Sequence, residues 1–248
     1  MKIKSLIFIA LLLALPPAFS NNDWSYLGKT GPTFWGKLNP KYMKCRAGRA
    51  QSPINIIGGI EIKKEPVRFE YLYNAGEIYN DTLGLQINSQ YGSFVTIGKE
   101  RYELIHTRIR TPSEHQVDSK HYRMEIQLMH IHTEGKRKGK FGLILTTFIS
   151  PGRKHNELEK ILQTAPRKRG ANLFKTPLNM INLVPATANR SYFSYTGSLT
   201  YPDCHEEVKW VIFQKPLYAS FEQIKRFEKL TGKNNRPIQP LNGRVITK

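Results

Sequence analysis

Seven stretches of this chain alternate polar and apolar residues or string β-branched and aromatic residues together: "LGLQIN", "SFVTIG", "RYELIHTRIR", "HYRMEIQLMHIH", "FGLILTTFIS", "LNMINLVP" and "VKWVIFQ". Each reads as a strand. Helical signals are few. "NELEKILQ" opens on Asn156 with Glu159 three residues on, and "SFEQIKRFEKLTG" has Ser220 as N-cap, Gln223 as its capping-box partner and Gly232 as a stop. So many strands with so few helices can bury their apolar faces only around an extended sheet. The expected class is mostly β with small peripheral helices (α+β).

Not all of the chain belongs to that sheet. Residues 1–20, "MKIKSLIFIALLLALPPAFS", put Lys2 and Lys4 before an apolar run and end on small residues, the pattern of a signal peptide. The run is short of the ~20 apolar residues a bilayer span needs. The expectation is a single domain over 21–248, secreted or periplasmic. Two cysteines, Cys45 and Cys204, suit a single disulfide in an exported chain; two buried free thiols are the alternative.

Charge is the loudest compositional signal. Without residues 1–20 the chain has 36 basic against 19 acidic residues, a net of +17. That excess favours polyanionic partners. The basic residues cluster in three glycine- or proline-flanked stretches: Lys136, Arg137, Lys138 and Lys140; Arg153 and Lys154; and Arg167, Lys168 and Arg169. All three read as loops or hairpin tips. Nucleic-acid binders interleave aromatic residues with basic ones, and these stretches largely lack them. Acidic polysaccharide, lipopolysaccharide or another anionic envelope lipid fits better, with plain solvated loops as the alternative.

One strand is odd. In Tyr102–Thr111, Ile105 and Ile109 point one way while His106, Arg108 and Arg110 point the other. By pattern alone this is a half-exposed strand with its arginines in water.

Six segments change that reading: "WSYLGKTGPTFWGKLNP", "QSPINI", "TIGKERYELIHTRIRTPSEH", "HYRMEIQLMH", "YFSYTGSLTYPDC" and "NNRPIQPLNGR". In this order and spacing the chain resembles the α-class carbonic anhydrases. The resemblance implies a large, mostly antiparallel, twisted sheet of about ten strands with a conical site reaching its centre. It also implies a Cys45–Cys204 disulfide and a zinc cofactor held by three histidines. At those three places this chain has Arg108, Arg110 and Gln127. Zinc takes neutral imidazole, thiolate or carboxylate donors, and carbonic anhydrase is the standard case of three histidines plus water. A guanidinium offers no lone pair and stays protonated. The expectation is therefore no zinc and no other cofactor.

Other family positions persist. Thr200 matches the threonine that orients zinc-bound hydroxide, Glu114 its hydrogen-bond partner, and Glu125 the carboxylate behind the third ligand; Thr200 and Glu114 are read as vestigial and Glu125 as a pocket residue. His106 and Tyr201 are pocket residues, and Leu83 falls where a proton-shuttle histidine would stand. His130 and His132 lie opposite Gln127 on their strand and read as one packed and one surface histidine. Two buried arginines need partners. The plainer expectation is a salt-bridge network joining Arg108 and Arg110 to Glu114 or Glu125; the alternative is an anion hole. The resulting functional expectation is a non-catalytic binding module for anionic partners, against a carbonate dehydratase or esterase with an atypical site.

Overall fold

A computed structural model describes residues 23–81 and 83–248. The segment read as a signal peptide lies outside them.

The architecture is the expected one, mostly β with few helices. An eleven-stranded sheet runs in the order Gly170–Leu173, Glu77–Asp81, Gly84–Asn88, Glu100–Arg110, Met124–His132, Phe141–Pro151, Glu206–Phe213 and Tyr192–Ser198. Leu217–Ala219 also pairs with Phe141–Pro151, while Phe94–Ile97 bridges Val67–Glu70 to the long strand Glu100–Arg110. Most pairings are antiparallel. Phe141–Pro151 pairs in parallel with both Glu206–Phe213 and Leu217–Ala219, so the sheet is mixed.

The two faces of the sheet are covered differently. Ile109, Ile126, Leu128 and Leu145 face a large apolar cluster that also takes Leu158 and Ile161 of the helix Asn156–Thr164 and Ile224 and Phe227 of the helix Phe221–Thr231. Both helices present one apolar stripe, which docking buries. The second helix starts on the capping box expected of Ser220 and Gln223 and ends at Gly232, whose φ of 60° suits glycine. The first is capped by His155, one residue before the expected start.

"LNMINLVP" is corrected. Only Leu178–Asn179 is strand, and Met180–Leu183 is a turn of 3-10 helix. Met180 and Leu183 are both buried. A three-residue helical spacing and a short strand cannot be told apart from so short an apolar run.

The expected disulfide is present between Cys45 and Cys204, 159 residues apart in sequence. It ties the short helix Lys44–Ala47 to the loop after Tyr192–Ser198. Trp24, Tyr26, Trp35 and Leu83 pack around it as a separate small core. Among the described residues no helix is long and apolar enough to cross a membrane.

Candidate functional site

The site grows from the alternation of the strand Glu100–Arg110. Directly paired residues of adjacent strands project to the same face, so register brings side chains from distant parts of the chain into rows. Gln86, Arg108, Gln127 and Thr146 form one row across four strands. Asn88, His106, Met129 and Ile144 form the next. Glu125 stands opposite Arg110. This polar face lies away from the two helices, at the centre of the sheet.

Arg110 is fully buried. Its Nη1 donates to the Tyr26 hydroxyl at 2.6 Å and to the Asn234 carbonyl at 3.2 Å. Its Nε donates to Gln127 Oε1 at 3.3 Å and lies 3.4 Å from Glu114 Oε2. Burial alone would lower the Arg110 pKa, but Glu114, Tyr26 and Tyr201 together outweigh it and the net direction is upward. Glu114 also accepts from Gln127 Nε2 at 2.7 Å and from the Arg236 amide at 2.9 Å. Thr200 is buried, and among the described residues it is not a hydrogen-bond partner of Glu114.

Glu125 anchors the floor. It accepts from the amides of Glu114 and His115, from His115 Nδ1 at 3.0 Å and from Gln127 Nε2 at 2.8 Å. Burial pushes its carboxyl up, and His115 with these hydrogen bonds reverses that, leaving it below the ordinary value. The chain continues from His115 Nε2 to the Tyr195 hydroxyl at 2.7 Å and on to Ser52 Oγ at 2.7 Å. Gln127 is thus held from both sides by carboxylates, and its orientation is set.

Arg108 behaves differently from Arg110. It is half-buried, with its guanidinium 4.4 Å from the centre of the Tyr201 ring. Tyr201 stacks in turn on Trp24, 6.3 Å away. No carboxylate among the described residues comes within ion-pair distance of Arg108. The expected salt-bridge network therefore forms for Arg110 alone. The reason is geometric: Glu125 is saturated by amides and His115, and Glu114 points at the neighbouring arginine.

His106 is buried edge-on to Phe141. Burial first, then the charges of Arg108 and Arg110, hold its pKa well below the usual range, so the ring is neutral. His130 lies on the opposite face, fully buried, with Nε2 2.6 Å from the Tyr71 hydroxyl, as its packed role requires. His132, expected at the surface, is instead 8% exposed and packs on Tyr102 with ring centres 4.9 Å apart. Leu83 is buried in the aromatic and disulfide core.

The three basic stretches do not converge. Lys136, Arg137, Lys138 and Lys140 are exposed just before the strand Phe141–Pro151, and Arg153 and Lys154 are exposed just after it. Eleven residues at about 3.3 Å each separate these two groups by the length of the sheet. Arg167, Lys168 and Arg169 are exposed beyond the helix Asn156–Thr164. Arg137 pairs with Glu100 at 3.6 Å and Lys154 with Glu159 at 3.8 Å.

Sequence reasoning missed Tyr26, His115, Tyr195, Asn234 and Arg236. Each lies in or beside a segment singled out by resemblance, but nothing local to it signals a contact with Arg110 or Glu125.

A large mixed sheet of this topology with few helices is that of an α-class carbonic anhydrase. The model of the eukaryotic-type carbonic anhydrase family matches residues 30–248, and the chain belongs to that family. A carbonic anhydrase of Pectobacterium carotovorum is 32% identical over 98% of this chain and 99% of its own length. One from Klebsiella pneumoniae is 32% identical over 96% of each. The α-carbonic anhydrase of Thermovibrio ammonificans, solved with the inhibitor sulfanilamide, superposes with a TM-score of 0.86 at 34% identity over 91% of this chain and 98% of its own.

These matches correct the expectation of no cofactor: the family is zinc-dependent, and relatives covering nearly the whole chain bear the name carbonic anhydrase. Whether zinc fits this particular face is a matter of donors. Arg108 and Arg110 have no lone pair to give. The Gln127 amide is engaged at both ends, its oxygen by Arg110 and its nitrogen by Glu114 and Glu125. Among the described residues no group of three or more His, Cys, Asp or Glu side chains could hold a metal ion. Arg108, Arg110 and Gln127 do not fit the metal, and no chemical step is derived through it.

Proposed function

We propose that Arg108, Arg110 and Gln127 stand at the family's three zinc-ligand positions, and that this exported, single-domain protein serves as a binding module for an anionic polymer, acidic polysaccharide or lipopolysaccharide. One observation carries the reading: a fully buried guanidinium, Arg110, is ion-paired to Glu114 at the centre of the sheet. Hydratase chemistry uses a metal that lowers the pKa of bound water to about 7, and a fixed cation there supplies no donor for such a metal.

The anionic partner is supported by charge. The net +17 remains after residues 1–20 are removed, and the loop at 136–140 is exposed. Lys99 and Arg101 share a surface concavity with Lys136 and Arg137. Because the basic groups sit at both ends of an eleven-residue strand, an extended polymer can reach more of them than a short ligand can. Cationic contacts release counterions, so binding weakens steeply with salt.

Elution from heparin tests this. The quadruple variant K136E/R137E/K138E/K140E should elute at clearly lower salt than the parent while melting at the same temperature, since exposed ion pairs contribute little to stability. Equal elution at low salt would overturn the polymer reading.

A second reading, carbonate dehydratase, is favoured by the 32% identity to proteins of that name over nearly the full chain. CO2 hydration by the purified protein, lost on chelation and restored by zinc, would establish it.

A further inference from the structure

Two of the three basic stretches lie at opposite ends of the strand Phe141–Pro151, yet a continuous furrow joins them. The concavity of Lys136 and Arg137 shares Glu100, His132 and Arg137 with a second one, which runs on to Lys209, Thr196 and Thr247. Lys64 donates to the Thr247 hydroxyl from a third, whose other walls include Tyr192, Gln214 and Lys248. That one shares Thr187 and Arg190 with a fourth, which ends at Arg153 and Lys154. Register sets this order. On the strand Tyr192–Ser198, Thr196 pairs with Lys209, Ser194 with Val211 and Tyr192 with Phe213. Lys209 also pairs with Leu143, near the start of Phe141–Pro151, and Leu217 of the fourth concavity pairs with Ile149, near its end. Tyr192, Val211 and Phe213 belong to the apolar cluster beneath the two helices, so the furrow lies on the face away from Arg108 and Arg110.

Its charge is positive and fixed. Ten basic side chains line the four concavities against six carboxylates. Three of the six are engaged: Glu100 by Arg137 and Lys209, Glu61 by Lys248, and Glu157 by Lys160. Among the described residues Lys64, Arg153 and Arg190 are in no ion pair. Lys64 is held by Thr247 and lies 4.8 Å from the centre of the Tyr192 ring. Arg190 donates Nε to the Pro185 carbonyl at 2.9 Å and lies 4.5 Å from the centre of the Phe69 ring. Burial, and then the charge of Lys209, lower the Lys64 pKa to about 8, so cations of neighbouring concavities act on one another. Such a row is complemented by a partner that spreads negative charge over the same length. Eleven strand residues at about 3.3 Å each make that length about 36 Å, and a small anion meets only one or two of the cations. Single-stranded nucleic acid stacks its bases on open rings, whereas Tyr102, Tyr192 and Tyr195 along the furrow are buried.

We propose that an extended acidic polysaccharide lies in this furrow, passing over Lys209, Lys64 and Arg190 and touching the loop at 136–140 with one end and Arg153 and Lys154 with the other. The path rests on the polymer reading above and adds the residues that join the loops. Lys64, Arg190 and Lys209 belong to none of the three basic stretches, and they distinguish one continuous site from two separate ones. Arg167, Lys168 and Arg169 lie outside the furrow. A continuous site selects chains by length, because one too short to reach from Lys209 to Arg190 makes only part of the contacts.

The test uses heparin as the probe and neutralises only the residues between the loops. K64Q/K209Q should bind long heparin about three- to tenfold more weakly than the parent, with a shallower dependence on salt. A heparin disaccharide should bind the parent far more weakly than the long chain does. In the unsubstituted protein, long heparin should protect Lys64 and Lys209 from acetylation together with Lys136 and Lys154, as read by mass spectrometry. That measurement decides the matter if K64Q/K209Q fails to fold. Weakened binding in K136E/R137E/K138E/K140E with parental binding in K64Q/K209Q would overturn the furrow and leave the polymer reading standing. So would full acetylation of Lys64 and Lys209 at saturating heparin. No binding of heparin by the parent would end both. Equal protection of the same lysines by duplex DNA would overturn the choice of a polysaccharide.

Discussion

Arg110 and Glu114, four residues apart in sequence, meet as a fully buried ion pair with Nε 3.4 Å from Oε2. The pair closes across the turn that ends the long strand, and Gln127 bonds to both members. A buried ion pair contributes little net stability, but removing one partner leaves an uncompensated charge. It therefore acts as a lock that cannot be half opened.

The lock leads to a stability prediction. E114Q, which keeps shape and removes charge, should destabilise the protein by about 3–5 kcal/mol. Adding R110M should recover a substantial part of the loss, since the unpaired cation is then gone. Urea unfolding of the two variants and the parent measures this. Additive losses in the double variant would show that the two residues act separately.

The metal question has a constructive test. R108H/R110H/Q127H places three imidazoles on adjacent strands in the registers that Arg108, Arg110 and Gln127 now occupy. Glu125 remains to orient the third imidazole, as outer carboxylates do for metal-bound histidine. The triple variant should bind zinc far more tightly than the parent in a chelator competition. Its hydration rate should stay low and depend on buffer, because the buried Leu83 cannot carry protons. A folded triple variant with no gain in zinc affinity would count against the proposed positions.

Acid should unfold the protein partly through His130, whose pKa burial lowers to about 3. The unfolded imidazole takes its proton near pH 6.5, while the folded one stays neutral down to about 3. Its contribution is intact above pH 6.5 and declines as pH falls through that window, by about 1.4 kcal/mol per unit. H130L should unfold with one fewer proton taken up between these limits. Parallel urea titrations from pH 3.5 to 7 check this, and an unchanged slope would place the proton uptake elsewhere.

Loss of the disulfide should be costly. Cys45 and Cys204 close a loop of 159 residues, for which the chain-entropy account gives about 4–5 kcal/mol. C45S/C204S should lose stability of that order and expose the tryptophans packed near the bond, Trp24 and Trp35, to solvent quenchers. Retention of parental stability would mean that the surrounding aromatic contacts suffice.

The strand Glu100–Arg110 shows how much was legible. Its alternation foretold that His106, Arg108 and Arg110 share a face, and the capping box at Ser220 foretold a helix start, because both signals are local to the backbone. "LNMINLVP" folds otherwise because so short an apolar run does not separate a buried strand from a turn of helix. His132 was misplaced because period-two alternation names a side of the sheet and does not say whether that side is covered.

Composition and periodicity alone determined a sheet-centred fold, the phase of its central strands, a cysteine pair and a strongly cationic surface. These follow from properties of each residue and its near neighbours. The tertiary structure alone decided that Arg110 takes Glu114 while Arg108 is left without an acid, that Tyr26 and Asn234 hold the buried guanidinium, and that the basic loops lie at opposite ends of a strand. Those outcomes depend on which distant segments register and loop closure bring together, and on which carboxylate still has a free lone pair when they meet.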